Sequence, residues 1–139
     1  MASKTKLYIG CALTDAPEDF KKDVEELKSV LKGKDYEVFD FLGLVAGTPK
    51  GVYEWDIDHC IKHCDAFIAI CDHPGLGLGF ELGVATELDK PVLALAQKDA
   101  KISRLIMGAA EAEEKFSFIR YKSLGDDAPQ LILDWLATF

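Results

Sequence analysis

A glycine-rich segment that ends in a carboxylate is the most informative chemical feature of the sequence. It runs from Asp72 through Gly75, Gly77 and Gly79 to Glu81. Alternate glycines let backbone amides come close to a ligand, and a carboxylate in the first turn of a helix is stabilised as the anion. The pattern favours Glu81 as a nucleophile or an electrostatic stabiliser, although many such acidic residues do no more than begin a helix.

The same segment does not fit the two common glycine motifs that bind phosphate. The dinucleotide fingerprint has a different glycine spacing and follows the first strand, and the P-loop needs Lys and then Ser or Thr after its last glycine. Gly79 is followed by Phe80 and Glu81 instead.

Two further carboxylates, Asp56 and Asp58, lie near the start of a predicted helix. We expect that start to face the same edge of the sheet as Glu81, where two carboxylates could act as acid and nucleophile, as they do in glycosidases. Asp56 and Asp58 flank the apolar stripe of the helix on opposite edges. Both also suit a solvated helix start.

Four neighbouring side chains, His59, Cys60, His63 and Cys64, have a spacing that could hold a metal ion. The cysteines fall on the predicted buried stripe and the histidines on the other side, so the four cannot converge. We therefore predict no metal site. His73, within the glycine-rich segment, is a candidate contact for an anion or a leaving group.

The other cysteines, Cys11 and Cys71, also have apolar neighbours rather than the turn residues of a disulfide-stabilised mini-domain. A chain of 139 residues can bury a core without such bridges. We expect reduced thiols, no disulfide, and a cytoplasmic protein.

Short apolar runs alternate with helical patterns along the chain. The runs predict strands over residues 6–12, 36–42, 66–71, 91–96 and 116–121. Helices are predicted after Pro17 and over residues 52–64, 80–88, 102–113 and 129–139, with a loop over residues 43–51. This alternation predicts an α/β fold, a flavodoxin-like or Rossmann-like three-layer sandwich with a five-stranded parallel sheet of order 2-1-3-4-5. We expect one domain over residues 1–139, with its site at the carboxyl ends of the strands.

The composition limits the possible partners. Hydrophobic residues make up 49% and charged residues 29%, and acidic residues outnumber basic ones by 24 to 16. The longest uncharged apolar runs are too short to span a membrane, and we expect no signal peptide. A net charge of -8 without a Lys/Arg-rich run argues against a nucleic acid polymer as partner. A small phosphorylated ligand remains compatible, because backbone amides can hold one.

Several of these features together resemble the nucleoside 2-deoxyribosyltransferase superfamily. They are Tyr8, Tyr53 with Asp56, the Cys-Asp-Ala of residues 64–66, the Ser-x-x-Ile-x-Gly-Ala-Ala of residues 103–110 and, most specifically, residues 74–83 with Glu81. The resemblance covers nearly the whole chain. Within the superfamily, the chain is most similar to 2'-deoxynucleoside 5'-phosphate N-hydrolases.

The resemblance implies an enzyme, an N-glycosyl hydrolase or deoxyribosyltransferase, that cleaves the base–sugar bond of a (deoxy)nucleoside or its 5'-monophosphate. It implies that Glu81 attacks C1', that Asp56 assists departure of the base, and that Tyr8 lies against the carboxylate of Glu81. No metal or other cofactor is needed for this chemistry. The interval from Asp56 to Asp65 is one residue longer than in the family, so Asp58 remains a competitor.

The resemblance also implies a set of residues that bind the substrate. They are Gly10, Ala12, Asp58, His73, Gly75, Gly77, Gly79 and Ser103. Family members that require a 5'-phosphate have serines in three places, of which this chain keeps only Ser103. Ala12 and Gly75 stand in the other two places, and this leaves the phosphate requirement open.

Three alternatives remain at this point. The first is base exchange instead of hydrolysis on the same site, and the second is a non-catalytic nucleotide-binding module. The third is a flavodoxin or a phospho-receiver domain. A flavodoxin would have a hydroxyl-rich phosphate loop after the first strand, which residues 13–17 do not form. For a receiver, Asp72 and Lys122 stand in suitable places, but the paired acids after the first strand are missing. The expected partner is a small nucleoside or nucleotide, and the resemblance implies a homodimer or a higher homo-oligomer.

Overall fold

A computed structural model describes residues 3–41 and 47–139 of the chain. Five strands and their connecting helices alternate along it. They are β1 (Lys6–Cys11), α1 (Glu18–Lys32), β2 (Glu37–Phe39), α2 (Pro49–Tyr53), a π-helical segment (Glu54–Ile61), β3 (Ala66–Ile70), α3 (Leu76–Glu87), β4 (Val92–Gln97), α4 (Arg104–Ala112), β5 (Phe116–Tyr121) and α5 (Ala128–Leu136).

All four strand pairings are parallel, and the sheet order is β2-β1-β3-β4-β5. The predicted fold class and strand order are therefore confirmed. Residues of a strand point alternately to the two faces of a sheet. Leu7 and Ile9 of β1 join a core with α1 and α5, whereas Tyr8 joins the opposite core with the π-helical segment and α3. The sheet thus presents Tyr8 on the same side as the elements that carry Asp56 and Glu81.

Helix α3 begins earlier than the sequence pattern predicts. Its first residue is Leu76 rather than Phe80, so part of the glycine-rich segment is helical and Glu81 lies in the second turn. Glycine is a poor helix former, but packing overrides propensity where an apolar face is buried. Leu78 and Leu82, one turn apart, are buried beneath the helix.

The predicted helix over residues 52–64 is also different in the structure. It begins at Pro49, with Thr48 as a cap whose hydroxyl accepts a hydrogen bond from the Gly51 amide, and it becomes π-helical at Glu54. A π-helical turn holds more residues than an α-helical turn and is frequent at functional sites. Burial of Ile57 and Ile61 keeps the segment on the sheet.

Three further findings complete the fold. The second strand is shorter than predicted, and residues 42–46, which include its predicted end and the first part of the predicted loop, lie outside the described residues. The four cysteines are free thiols. Among the helices of the described ranges, none has the length and apolar character to cross a membrane.

Candidate active site

The centre of the candidate site is a contact between β1 and α3. The Tyr8 hydroxyl donates a hydrogen bond of 2.5 Å to Oε2 of Glu81. Tyr8 is fully buried, and its ring stacks on Phe67 of β3 with the ring centroids 5.4 Å apart. A Cβ atom at Gly10 would lie 3.0 Å from the Phe67 ring and 3.4 Å from Oε1 of Glu81, so glycine is needed there for close packing behind the carboxylate.

The Glu81 carboxylate faces a cavity of about 420 Å³ at the carboxyl edge of the sheet, here called the chamber. The loop after β1, the start of α3 and the helices before β3 form its walls. Its lining residues are Cys11, Ala12, Leu13, Thr14, Asp15, Val52, Asp56, Pro74, Gly75, Leu76, Gly77, Leu78 and Glu81. A cavity of this size suits a small organic ligand.

Burial is the main influence on the charge of Glu81. It raises the pKa of this carboxyl to about 7, with the nearby charge of Asp56 acting in the same direction and the Tyr8 hydrogen bond acting against it. The pKa of the Tyr8 hydroxyl is raised by burial and by Glu81, so Tyr8 stays a donor at neutral pH. The predicted stabilisation of the anion by the first helical turn is wrong, because Glu81 lies in the second turn and is desolvated.

The structure separates the two aspartates of the π-helical segment. Asp56 lines the chamber, and its charge acts on both Tyr8 and Glu81. Asp58 does not line the chamber and instead pairs with Lys62, at 2.9 Å between Nζ and Oδ1, with about half of its side chain exposed.

A cluster of rings holds the π-helical segment against the end of β2. The indole nitrogen of Trp55 donates a 2.7 Å hydrogen bond to the carbonyl of Asp40, and its ring stacks on His59 at 4.3 Å. The carboxylate of Asp40 lies 3.7 Å from the ammonium of Lys28, which is almost fully buried. These contacts fix the backbone beside Asp56.

His73 and Ser103 do not line the chamber. Both line a second cavity of about 740 Å³, which also takes in Lys101 and Asp72. His73 packs edge-on against the Phe20 ring, and the Ser103 hydroxyl caps α4 by accepting a hydrogen bond from the Leu105 amide.

The two cavities are neighbours with a common wall at the start of α3. They share Asp15, Pro74, Gly75, Leu76 and Leu78. Of the glycines in the glycine-rich segment, Gly75 lines both cavities, Gly77 only the chamber and Gly79 only the second cavity.

Ala12 and Gly75 touch each other across the chamber wall. A Cβ atom at Gly75 would lie 3.0 Å from the Cβ of Ala12. Side chains larger than hydrogen at position 75 therefore require the wall to move. Ala12 and Gly75 therefore pack against each other, and their small side chains leave no empty space at this point of the wall.

Sequence reasoning missed Asp15 and Val52 as lining residues of the chamber. Asp15 follows the first strand and was interpreted only as part of the signal that starts α1, although residues after a strand in this fold face the site edge. Among the described residues, no group of histidine, cysteine and carboxylate side chains could hold a metal ion.

Asp72 has a structural role at the carboxyl edge of the sheet, where it lines the second cavity and not the chamber. Its carboxylate accepts a 2.5 Å hydrogen bond from the Tyr121 hydroxyl and one of 3.1 Å from the Gln97 amide. These bonds tie together the ends of β3, β4 and β5. A receiver domain would need this carboxylate available for phosphorylation, so its contacts argue against that alternative.

Comparison with known proteins shows that the chain is similar to enzymes that are named for nucleotide substrates. No family model matches the chain. It is 30% identical over 118 residues to the "Putative 2'-deoxynucleoside 5'-phosphate N-hydrolase 1" of Thermofilum pendens, an alignment that covers 78% of this chain and 80% of that protein. It is 37% identical over 68 residues to the 5-hydroxymethyl-dUMP N-hydrolase of Rattus norvegicus, covering 48% of this chain and 41% of that one.

Two solved structures share the fold. The CMP N-glycosidase of Clostridium botulinum superposes with a TM-score of 0.70 at 26% identity, covering 93% of this chain and 99% of that one. A 2-deoxyribosyltransferase from Leishmania mexicana superposes with a TM-score of 0.58 at 22% identity, covering 86% and 81%. At 22% identity, the similarity to the second structure shows a common fold and nothing more.

Proposed function

Because the chain belongs to the nucleoside 2-deoxyribosyltransferase superfamily, on the side of the 2'-deoxynucleoside 5'-phosphate N-hydrolases, we propose that it cleaves the base–sugar bond of a (deoxy)nucleoside or its 5'-monophosphate with Glu81 as nucleophile. The relatives of the chain are N-hydrolases and an N-glycosidase. They support the broader statement that the chain is an enzyme that acts on N-glycosidic bonds.

One observation carries the proposal. The carboxylate of Glu81 lies in a cavity of substrate size, bound to Tyr8 through Oε2 and within reach of the charge of Asp56. The Tyr8 bond fixes one carboxylate oxygen and leaves Oε1 for the anomeric carbon. A fixed carboxylate beside a second acidic group is the arrangement that glycoside cleavage through a covalent intermediate requires.

The reaction proceeds by two displacements at C1'. In the first, Glu81 forms an ester bond to C1' while the C1'–N bond breaks, and its electron pair leaves with the base. Asp56 assists by positioning or protonating the base. In the second, water attacks C1', its proton passes to the Asp56 carboxylate or, where the base left unprotonated, to the departing base, the C1'–O bond to Glu81 breaks, and Glu81 returns as a carboxylate with net retention of configuration. A 2-deoxy sugar favours the oxocarbenium-like transition state, because it lacks the electron-withdrawing 2'-hydroxyl.

The raised pKa of Glu81 suits this cycle. A carboxylate that burial has made more basic is a better nucleophile than a fully solvated one. With the pKa at about 7, a substantial fraction is ionised at neutral pH. Tyr8 then stabilises the ionised form by its hydrogen bond.

The test is incubation with a panel of nucleosides and their 5'-monophosphates, with detection of the free base. Adding a second free base separates hydrolysis from base exchange, since exchange yields a new nucleoside. Adding methanol tests retention, because the methyl glycoside must keep the configuration of the substrate. A folded protein that releases no base from any substrate would support the non-catalytic alternative and overturn the proposal.

We also propose that the chain works as a homodimer or a higher homo-oligomer. Leu76 is 97% exposed and Leu105 is 79% exposed, both beside the second cavity. Helix α4 has an apolar face but no fully buried residue among those described. Exposed apolar surface of this kind is typical of contacts between chains. Light scattering on a size-exclusion column measures the mass, and a monomer would contradict this proposal.

A further inference from the structure

We propose that Lys28 is a positioning residue for the reaction, because it holds the chain after β2 in the place that orients Asp56. The inference rests on the proposed function, since it takes Asp56 as the group that assists departure of the base. Lys28 belongs to α1 and lines neither of the two cavities, so its effect on the reaction must pass through other residues.

The burial of Lys28 is the observation that carries the inference. Its relative exposure is 1%, and among the described residues it is the only charged one that is buried. Lysine is almost never fully buried unless it is paired, and an ammonium group loses much hydration free energy when it leaves water. A hydrophobic residue of similar size would fill this place beneath α1 without that cost. The stability of the fold does not by itself account for a charged group there.

The partners of Lys28 lie where the sheet no longer holds the chain. Strand β2 ends at Phe39, and its pairing with β1 ends there as well. Beyond the strand, the ammonium of Lys28 lies 3.7 Å from Oδ1 of Asp40 and 3.8 Å from the centroid of the Phe41 ring. A third contact, of 3.0 Å, joins it to Glu25 of its own helix. Lys28 therefore fixes two residues that follow the strand and are not part of the sheet.

Asp40 connects Lys28 to the π-helical segment. Its carbonyl oxygen accepts a 2.7 Å hydrogen bond from the indole nitrogen of Trp55 and lies 4.0 Å from Sγ of Cys60. Trp55 and Cys60 lie on either side of Asp56 in the sequence. A carbonyl group that Lys28 holds in place therefore fixes the π-helical backbone that carries Asp56.

A direct electrostatic effect of Lys28 on the chamber is the competing explanation. Burial raises the pKa of the Cys11 thiol, which lines the chamber, to about 11, and the charge of Lys28 acts against this rise. The pKa of Glu81, in contrast, is shifted by burial, Tyr8 and Asp56. Lys28 is not among these causes. A direct effect would move the acid limb of the pH profile of kcat/KM, whereas positioning leaves that limb in place.

The experiment compares Lys28→Met with the wild type on substrates whose bases differ in basicity. Methionine fills the buried place without a charge, and Asp40 keeps its pair with Lys32 at 3.4 Å. We expect kcat to fall roughly tenfold for poor leaving groups and less than about twofold for good ones, with an unchanged acid limb. In the Asp56→Asn background, Lys28→Met should change kcat by less than about twofold, since both substitutions act on one step.

Lys32→Met is the matched control. It removes the other lysine of α1 that pairs with Asp40, but its side chain is 47% exposed. Such a pair is screened by solvent, so kcat should stay within about twofold of the wild type for every base.

Asp40→Asn tests the same link from its exposed end. It breaks the pair with Lys28 and keeps the carbonyl group that accepts the Trp55 hydrogen bond. We expect it to repeat the dependence on the leaving group seen with Lys28→Met. It decides the question if Lys28→Met melts below the assay temperature.

The outcomes separate the inference from the proposed function. An equal loss for all leaving groups, or an additive loss in the Asp56→Asn background, would overturn the positioning role of Lys28. Wild-type rates in Asp40→Asn and in a folded Lys28→Met would overturn it as well, and a shifted acid limb would favour the direct effect. The proposed function stands in each of these cases, because the wild type releases base. Release of no base by the wild type would overturn the proposed function and the inference with it.

Discussion

Tyr8 fixes the orientation of the Glu81 carboxylate, because the side chain of Tyr8 is itself fully buried. Its hydroxyl donates a 2.5 Å hydrogen bond to Oε2 of Glu81, while its ring is fully buried against Phe67. Strand β1 therefore fixes the orientation of a carboxylate supplied by α3. The bond also opposes burial, since burial raises the pKa of Glu81 and the bond lowers it. The resulting value of about 7 is a balance that single substitutions can shift in a known direction.

Tyr8→Phe should move the acid limb of the pH profile of kcat/KM to higher pH. The substitution removes the hydrogen bond that favours ionised Glu81, so the pKa of this carboxyl rises above about 7. A hydrogen bond to a charged group suggests a shift of roughly one pH unit. Tyr121→Phe is the control, because it removes an equally short bond to Asp72, which does not line the chamber. A limb that stays in place in Tyr8→Phe would contradict this account.

Glu81→Gln should abolish turnover without unfolding the protein. Glutamine has nearly the same shape and can still accept the Tyr8 hydrogen bond, but it is not a nucleophile. We expect a loss of roughly a thousandfold or more in kcat, measured by release of free base. Glu87→Gln, on the exposed surface of the same helix, should keep full activity. Full activity in Glu81→Gln would rule out the covalent mechanism.

The same variant should be more stable than the wild type above neutral pH. The folded pKa of Glu81, about 7, lies above its ordinary value of 4.5. The folded state then binds more protons than the unfolded state between these values, so the free energy of unfolding falls as the pH rises through this window. Glu81→Gln removes this loss, worth up to about 3 kcal/mol. Thermal melts should show a larger gain at pH 8 than at pH 5, and an equal gain at both would contradict the assigned pKa.

Asp56→Asn should slow cleavage more for bases that leave reluctantly than for good leaving groups. Assistance to the departing base matters most when the base is a poor leaving group. Rates with a series of bases of different basicity measure this dependence. Asp58→Asn is the matched control, since Asp58 pairs with Lys62 outside the chamber and should change stability by roughly 0.5 kcal/mol. The reverse pattern would make Asp58 the catalytic partner.

The sequence predicted the fold from short buried strands, because five apolar runs separated by helical patterns leave few arrangements open. The start of α3 could not be predicted from local pattern. Glycine at 77 and 79 argues against helix, and burial of Leu78 and Leu82 decides otherwise. That early start matters for the site, since it puts a wall between the chamber and His73 with Ser103.

The π-helical segment, like the start of α3, could not be predicted from the sequence. An apolar stripe predicts a helix but not its pitch. The pitch depends on partners distant in the chain, such as the bond from Trp55 to the carbonyl of Asp40. The sequence therefore favoured Asp56 through the family resemblance but kept Asp58 as a competitor, and the three-dimensional contacts place Asp56 alone in the lining of the chamber.

Gly10→Ala should impair catalysis more than folding. The added methyl group would lie 3.0 Å from the Phe67 ring and 3.4 Å from Oε1 of Glu81. Since Phe67 is fully buried, we expect the carboxylate to be displaced, with kcat falling roughly a hundredfold while KM changes less. Gly83→Ala is the control, because nothing lies within 4 Å of its new methyl group. It should keep activity and add about 0.5–1 kcal/mol to the free energy of unfolding as a better helix former. Steady-state kinetics and urea unfolding of both variants measure these effects. A Gly10→Ala enzyme with the wild-type kcat would show that the added methyl group does not displace Oε1 of Glu81 and would contradict this prediction.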